Sequence, residues 1–385
     1  MKKVAVVDDR PDFVQTAATA VRANTGVDPE CITGEALSQL VAELVELQDS
    51  VGTESRLDSF DLFILDYDLR AKGGIGLTTG ADIAKLLRSF TCCGAIVLTN
   101  NYPDPNRDHR FDLRLVGDLK LMSDFEIASG FLGNPGLWEP GDWPFFRPWH
   151  WPLLTELPRR LDECTRLLEA DRDQLICDAI PGLRDHLTDL SPEDLEWLGS
   201  DAKTLRIEDL AGGNHFSMLS PSGGAAIPER VIPRFAASRL MKWFDQFVLV
   251  RGIGVIDEPH LITRQPEVLL ENVDLTDRNS WSDLLEPVVA EAASTVGPWH
   301  SRPSWWVGDL RNKPIEEVLK AKPLTGLDNV FCEDASRFLE RSQARSYRLP
   351  IPSAYGRRWL ADEQLYADGL AEYKPDYQPE QWLLT

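Results

Sequence analysis

Several features that mark common classes of protein are missing from this sequence. Its six cysteines include no CxxC pair and no regular spacing, so neither a disulfide framework nor a zinc ribbon is indicated. No segment approaches the run of about 18 apolar residues that a membrane helix needs. The apolar stretch that follows Met1 is too short for a signal peptide. We therefore expect a cytoplasmic protein that has no membrane partner.

Positive charge is also scarce. The chain carries 40 Lys and Arg against 62 Asp and Glu, a formal net charge of -22 at pH 7, and the acidic excess also holds in its second half. This balance opposes the counterion release that drives most binding to phosphate backbones. No helix-turn-helix with a basic recognition helix is present. Nucleic acid is consequently an unlikely partner.

The length favours two domains. A chain of 385 residues, 43% of them hydrophobic, exceeds the usual size of one domain and can fill two cores. We predict a first domain over residues 1–170 and a second, α+β domain over 171–385. A Trp- and Pro-rich insertion around residues 130–152 interrupts the first domain, and we expect its tryptophans to pin a long loop by packing.

The first 125 residues alternate short apolar runs with amphipathic stretches, which is typical of a parallel sheet covered by helices. The pattern predicts helices over residues 12–24, 35–48 and 80–89, and a delayed fifth helix where leucines recur from Leu153 to Leu168. The predicted strands are residues 4–7, 29–33, 62–65, 95–99 and 118–121. The fold class is therefore α/β.

Acidic residues follow two of these strands. Asp8 and Asp9 end the first strand, and Asp66 and Asp68 follow the third. The carboxyl ends of parallel strands meet in one crevice, where three carboxylates repel each other unless a cation lies among them. Mg²⁺ prefers such hard oxygen ligands. We predict that Asp8, Asp9, Asp66 and the backbone carbonyl of Asp68 hold Mg²⁺, with Asp66 as the nucleophile that accepts a phosphoryl group.

Phosphoryl transfer also needs donors for the charge on the transferred oxygens. Thr99, at the end of the fourth predicted strand, and Lys120, in the fifth, supply a hydroxyl and an ammonium group. We predict that both lie beside Asp66.

The segments VAVVDD, DLFILDYDL, AIVLTN and GDLKL together resemble the four signatures of the response-regulator receiver (CheY-like) family, over roughly residues 1–170. The resemblance implies a flavodoxin-like, doubly wound, five-stranded parallel sheet with strand order 2-1-3-4-5. It also implies a histidine kinase or a phosphotransfer protein as phosphodonor.

Some positions depart from that family. Leu121 stands where proline is usual, Asn100 where a small residue is usual, and Gly117 where an aromatic switch residue is usual. The glycine-rich loop after Asp66 is longer than the family's. We expect ordinary phosphoryl chemistry with a non-standard output.

Residues 171–385 resemble no family known to us, and contain no histidine-kinase, cyclase, HExxH or GxSxG motif. Two loops beside apolar runs contain residue types that could form a hydrolase or metal site, although their density of Gly, Asn, Ser and Pro is ordinary turn chemistry. These residues are His215, Ser217, Ser220, Asp257, Glu258 and His260. Cys332 and His300 are assigned no role.

The sequence thus predicts a two-component-type signalling protein whose receiver regulates its C-terminal domain or docks it to a protein effector. Two alternatives stay open: a phosphate sink for a histidine kinase, and an enzyme whose C-terminal site is gated by the receiver. A second copy of the chain is also left open as a partner. Whether the receiver is active or degenerate is not decided by the residues.

Overall fold

The computed structural model describes most of the first half of the chain and parts of the second. The described residues are 1–49, 53–69, 79–100, 122–139, 153–192, 195, 203–212, 227–249, 254–257, 261, 296–300, 304–312, 328–332, 337–347 and 358–361. None of the helices in these ranges combines the length and the apolar character that crossing a bilayer requires.

The first half forms a parallel α/β sheet with helices on both faces. Its strands are β1 (Val4–Val7), β2 (Glu30–Ile32), β3 (Leu62–Asp66), β4 (Ala95–Asn100) and β5 (Phe125–Ala128). Its helices are α1 (Pro11–Thr25), α2 (Gly34–Asp49) and α3 (Gly80–Phe90). The strand order β2-β1-β3-β4-β5 is that of the flavodoxin-like fold, so the predicted fold class is confirmed.

The sheet buries alternate side chains against different helices, as the two-residue period of a strand requires. Val4, Val6 and Ile64 pack with α1 in one core. Val7 and Leu65 pack with α2 and α3 in another. Because the strands are buried on both faces, they read in the sequence as short continuous apolar runs.

The position of the fifth strand differs from the prediction. We expected it at residues 118–121, but the strand that pairs with β4 is Phe125–Ala128, with Ile127 beside Thr99. The sequence pattern missed it because Glu126, in its centre, is charged and yet buried. Residues 118–121 themselves lie outside the described ranges.

The segment after β5 closes over the α1 face of the sheet. Trp138 is fully buried there and its indole N–H donates to the carbonyl oxygen of Leu132 at 2.8 Å. This agrees with the packing role that we expected for the tryptophans of the insertion. The other three, Trp143, Trp149 and Trp151, lie outside the described residues.

The predicted delayed helix is α4 (Leu157–Ala170), and it lies between two cores. Leu157 packs with the sheet. Leu161, Cys164 and Leu168 instead pack in a core with residues from the second half of the chain. The helix therefore carries the chain from one core into the next.

The described parts of the second half are of the α+β type. The helices are α5 (Ile176–Ala179), α6 (Leu183–His186), α7 (Ile207–Gly212), α8 (Ile232–Trp243) and α9 (Val307–Asn312). The strands are β6 (Val255–Asp257), β7 (Ser304–Trp306), β8 (Asn329–Cys332), β9 (Arg337–Glu340), β10 (Ala344–Tyr347) and β11 (Arg358–Ala361). β6 and β7 pair antiparallel, and the last four form a sheet in the order β10-β11-β8-β9.

Candidate functional site

The three strand ends that the sequence singled out meet at one edge of the sheet. Asp66 of β3 lies directly beside Thr99 of β4 in the parallel register. Val7 pairs with Leu65, which brings the next residue, Asp8, to the same edge. The fold thus assembles Asp8, Asp66 and Thr99, as predicted for a crevice at the carboxyl ends of parallel strands.

Asp66 is a buried carboxylic acid, with only 4% of its surface exposed. Its Oδ2 accepts a hydrogen bond from the backbone N–H of Asp68 at 3.1 Å. Burial, and after it the negative charge of Asp8, raise the pKa of Asp66 to about 7. The ionised form of Asp66 therefore destabilises the folded state unless a cation compensates for its charge.

Asp8 is a second carboxyl group whose pKa is raised by its surroundings. Its pKa is raised to about 6, chiefly by burial and to a smaller extent by Asp9, while the N–H and the charge of Arg10 lower it. Two neighbouring buried carboxyl groups repel each other when both are ionised, and a divalent cation between them would relieve that repulsion.

The residues fit a magnesium ion that takes only a few of its ligands from the protein. Among the described residues, no three His, Cys, Asp or Glu side chains converge on one metal position. Mg²⁺ is commonly held by one or two carboxylates, with water and phosphate oxygens as the remaining ligands. Asp8 and Asp66 are the pair that meets this requirement, while Asp9 lies next to them in the chain.

Thr99 presents a hydroxyl group at the same edge. It is buried, and its Oγ1 donates to the carbonyl oxygen of Leu65 at 3.3 Å, a long and weak hydrogen bond. Its carbonyl oxygen accepts from the N–H of Tyr67 at 2.7 Å, which ties the chain after β3 to the end of β4.

Gly80 lets α3 begin very close to Asp66. A Cβ atom at this position would lie 2.0 Å from the backbone oxygen of Asp66. Thr79 caps the helix and shares a capping box with Asp82. The glycine therefore serves a close approach of backbone to backbone, which no other residue permits.

The site contains an arginine that sequence reasoning missed. The backbone N–H of Arg10 donates to Asp8 Oδ1 at 2.8 Å, and its Nε lies 3.6 Å from the same oxygen. Its guanidinium carbon lies 3.6 Å from the centre of the Phe13 ring. The signal that could have revealed it is its place directly after the two aspartates and before Pro11, where α1 begins.

Lys120, the predicted lysine of the site, lies outside the described residues. β5 contains no lysine, and it places Ile127 beside Thr99 and Ala128 beside Asn100. The predicted role of Lys120 stays a prediction. Lys120 precedes β5 in the chain and is not part of that strand, as we had expected it to be.

A buried polar network joins the start of β5 to α8. Asp124 accepts hydrogen bonds from Arg88 of α3, from the N–H of Ile96 and from the hydroxyl of Ser238. Two residues on, Glu126 accepts from Lys242 and from the hydroxyl of Ser123. All the side chains of this network are buried, so their charges are compensated within the protein.

A second contact joins the two halves at the same end of the sheet, where β4 and β5 begin. Arg230 Nη1 donates to Asp58 Oδ2 at 3.0 Å, and Nη2 donates to the carbonyl oxygen of Phe90 at 3.2 Å. The thiol of Cys92 in turn lies 3.5 Å from the carbonyl oxygen of Arg230. The residues before α8 are therefore fixed to the turn between α3 and β4.

Of the second-half candidates, only Asp257 falls among the described residues. It is buried at the end of β6, and its Oδ2 lies 3.4 Å from Nε2 of His300. His300 Nδ1 lies 3.0 Å from Asp245, which also pairs with the buried Arg160. This is a compensated ion network in the core, and it gives no support to a hydrolase site. His215, Ser217, Ser220, Glu258 and His260 lie outside the described residues.

The comparisons with known proteins include a weak likeness to a solved structure. No protein-family model matches the chain, and no curated protein matches it. Among solved structures, the Salmonella typhimurium RcsB response regulator, described in connection with DNA interaction, is 15% identical over 63% of this chain and 91% of its own, with a TM-score of 0.24. A score this low does not establish a common fold, so the assignment of the fold rests on the strand order of the sheet.

Proposed function

We propose that this protein is a two-component-type signalling protein whose receiver, residues 1–170, accepts a phosphoryl group on Asp66. The observation that carries the proposal is the buried pair of Asp66 and Asp8 beside Thr99 at the carboxyl edge of a sheet of order 2-1-3-4-5. A histidine kinase or a phosphotransfer protein would be the donor.

In the proposed reaction a carboxylate oxygen of Asp66 bonds to phosphorus while the P–N bond of the donor phosphohistidine breaks, and its electron pair leaves with the imidazole. Bound Mg²⁺ would supply charge neutralisation and a clamp on a phosphoryl oxygen. Asp8, Asp9 and Asp66, with the carbonyl group of Asp68, would hold the ion.

The chain's own donors have separate tasks. The Thr99 hydroxyl can exchange its long bond to Leu65 for a bond to a phosphoryl oxygen at little cost. Lys120 is proposed as a cation that pairs with another phosphoryl oxygen. The raised pKa of Asp66 keeps part of the protein in the non-nucleophilic, protonated form at neutral pH until a cation binds.

Intact mass after incubation with acetyl phosphate and Mg²⁺ tests this function. Wild type should gain one phosphoryl group that hydroxylamine removes, and Asp66→Asn should gain none. Lys120→Ala should gain it more slowly. If wild type gains nothing, even from a histidine-kinase donor, the receiver is degenerate and the proposal fails.

The output is proposed to run through the second half of the chain, because α8 shares a buried ion pair and a buried hydrogen bond with the start of β5. Phosphorylation would shift the population of an arrangement that a protein effector reads. If Asp66→Asn leaves binding of the effector unchanged while wild type still drains phosphoryl groups from a kinase, the protein is instead a phosphate sink. A hydrolase screen that shows turnover only after phosphorylation would favour the gated enzyme.

A further inference from the structure

We propose that Arg10 is the protein's own cation at the acceptor site: it holds Asp8 when no metal is bound, and it turns to the phosphoryl oxygens when Asp66 is phosphorylated. This inference rests on the proposed function. It adds a residue that contacts the transferred group and that competes with the metal for one ligand.

The first step is the position of the side chain. Two groups of Arg10 contact the same oxygen, Asp8 Oδ1. The backbone N–H donates a hydrogen bond to it at 2.8 Å, and Nε lies 3.6 Å from it. Asp8 is almost fully buried, whereas 39% of the Arg10 side chain is exposed. The guanidinium therefore lies at the mouth of the site, where an incoming phosphodonor would arrive.

The second step is the support that keeps it there. The Phe13 ring, one turn into α1, lies under the guanidinium at 3.6 Å. A cation over an aromatic face is stabilised without a fixed ion pair, so the group keeps freedom to exchange partners.

The third step is the charge balance. Asp8 and Asp9 follow β1, and Asp66 and Asp68 lie at the end of the neighbouring strand β3. A phosphoryl group adds further negative charge to these four carboxylates. One Mg²⁺ does not neutralise this set. β5 supplies no cation beside Thr99. The charge of Arg10 acts on both Asp8 and Asp66, since it lowers the pKa of each.

The planar guanidinium also suits the proposed second partner. It presents several N–H donors in a fork that matches phosphoryl oxygens, and it stays charged at every pH of interest. A positioned donor to a transferred phosphoryl group stabilises the charge that develops on its oxygens.

The test is a comparison of Arg10→Gln and Arg10→Lys with wild type, by two independent readouts. Mg²⁺ titration calorimetry measures competition for Asp8, and intact mass over time measures phosphoryl gain from acetyl phosphate. Arg22→Gln is the matched control, because Arg22 lies near the far end of α1, the helix that follows Arg10, and pairs with Asp28 away from the site. Circular dichroism establishes that each variant is folded. If Arg10→Gln does not fold, Arg10→Lys takes its place in both measurements.

The proposal predicts opposite effects of one substitution. Arg10→Gln should bind Mg²⁺ about two- to fivefold more tightly, as expected for removal of a part-exposed competing ion pair. It should gain the phosphoryl group about tenfold more slowly, because a donor to the transferred oxygens is lost. Arg10→Lys should fall between it and wild type, and Arg22→Gln should behave as wild type.

Either of two results overturns the inference. Unchanged or weaker Mg²⁺ binding by Arg10→Gln would show that the arginine does not compete for Asp8. An unchanged rate of phosphoryl gain would show that it does not assist transfer. If wild type gains no phosphoryl group at all, the proposed function fails, and the inference fails with it, whereas the magnesium titration still reports the contact with Asp8.

Discussion

At the scale of single residues, the chemistry of the site follows from the burial of neighbouring carboxyl groups. Asp66 and Asp8 have little contact with water, and burial is the largest cause of the raised pKa of each. The folded state therefore binds protons at this site more tightly than the unfolded chain does. Stability and metal binding are coupled to pH through these two residues.

Asp66→Asn should stabilise the metal-free protein at alkaline pH. The pKa of Asp66 rises from 3.8 to about 7 on folding, so the free energy of unfolding of wild type falls as pH rises between these values and stays low above them. The amide removes that loss. Urea unfolding in EDTA should show the variant more stable than wild type by a few kcal/mol at pH 8, and by less at pH 5.

Addition of Mg²⁺ at pH 8 provides the control, since the ion should narrow the difference by stabilising wild type more than the variant, which lacks one carboxylate ligand. A variant that is less stable than wild type at pH 8 without metal would refute the account of the buried charge.

Gly80→Ala should damage both the fold and the site. Its Cβ would lie 2.0 Å from the carbonyl oxygen of Asp66, and backbone on both sides has to move. We expect a loss of about 1–3 kcal/mol in the free energy of unfolding and weaker Mg²⁺ binding. Gly133→Ala is the matched control, because a Cβ there meets nothing within 4 Å. Equal stability of the two variants would contradict the close approach.

At the scale of elements, β5 depends on α8. The strand carries Glu126 inside the protein, and the fully buried Lys242 of α8 compensates for its charge. Burial lowers the pKa of Lys242, and the charge of Glu126 acts in the opposite direction. Each of the two charges is therefore tolerated in the interior only while the other is present.

Lys242→Met should therefore lower the free energy of unfolding by more than the double substitution that removes both charges. The single substitution leaves Glu126 buried without the ammonium group that donates to it, and a loss of about 3–5 kcal/mol is expected. The double variant Lys242→Met with Glu126→Gln should recover a large part of that loss. A double-mutant cycle by chemical denaturation measures the difference, and additive effects of the two substitutions would argue against the buried pair.

The same pair explains what the sequence could and could not predict. β1, β3 and β4 are apolar runs that end in polar residues, and their positions, with Asp8, Asp66 and Thr99, were readable from the pattern. β5 was misplaced because the partner that makes Glu126 tolerable lies 116 residues away in the chain. Arg10 was missed because its role depends on where its side chain turns, which no spacing encodes.

At the scale of the whole molecule, the two halves are joined by buried polar contacts and by a shared core. α4 starts against the sheet and ends among residues of the second half. Arg230 holds one end of the sheet, and Ser238 and Lys242 hold the start of β5. This arrangement favours two halves of the chain that respond together.

The α3 and α8 segments should accordingly unfold in one transition. Hydrogen exchange with mass spectrometry at increasing urea should show peptides from Gly80–Phe90 and Ile232–Trp243 losing protection at the same urea concentration. In the Lys242→Met variant both should shift together. Loss of protection in α8 well before α3 would show instead that the second half opens by itself.

The most direct test of the account is to locate the phosphoryl group. Protein treated with acetyl phosphate and Mg²⁺ is reduced with borohydride, which converts an aspartyl phosphate into homoserine, and its peptides are sequenced by mass spectrometry. We predict homoserine at position 66 in wild type, and none in Asp66→Asn or after EDTA treatment. Homoserine at another aspartate, or at none while the kinase donor is consumed, would contradict the assignment of Asp66 as the acceptor.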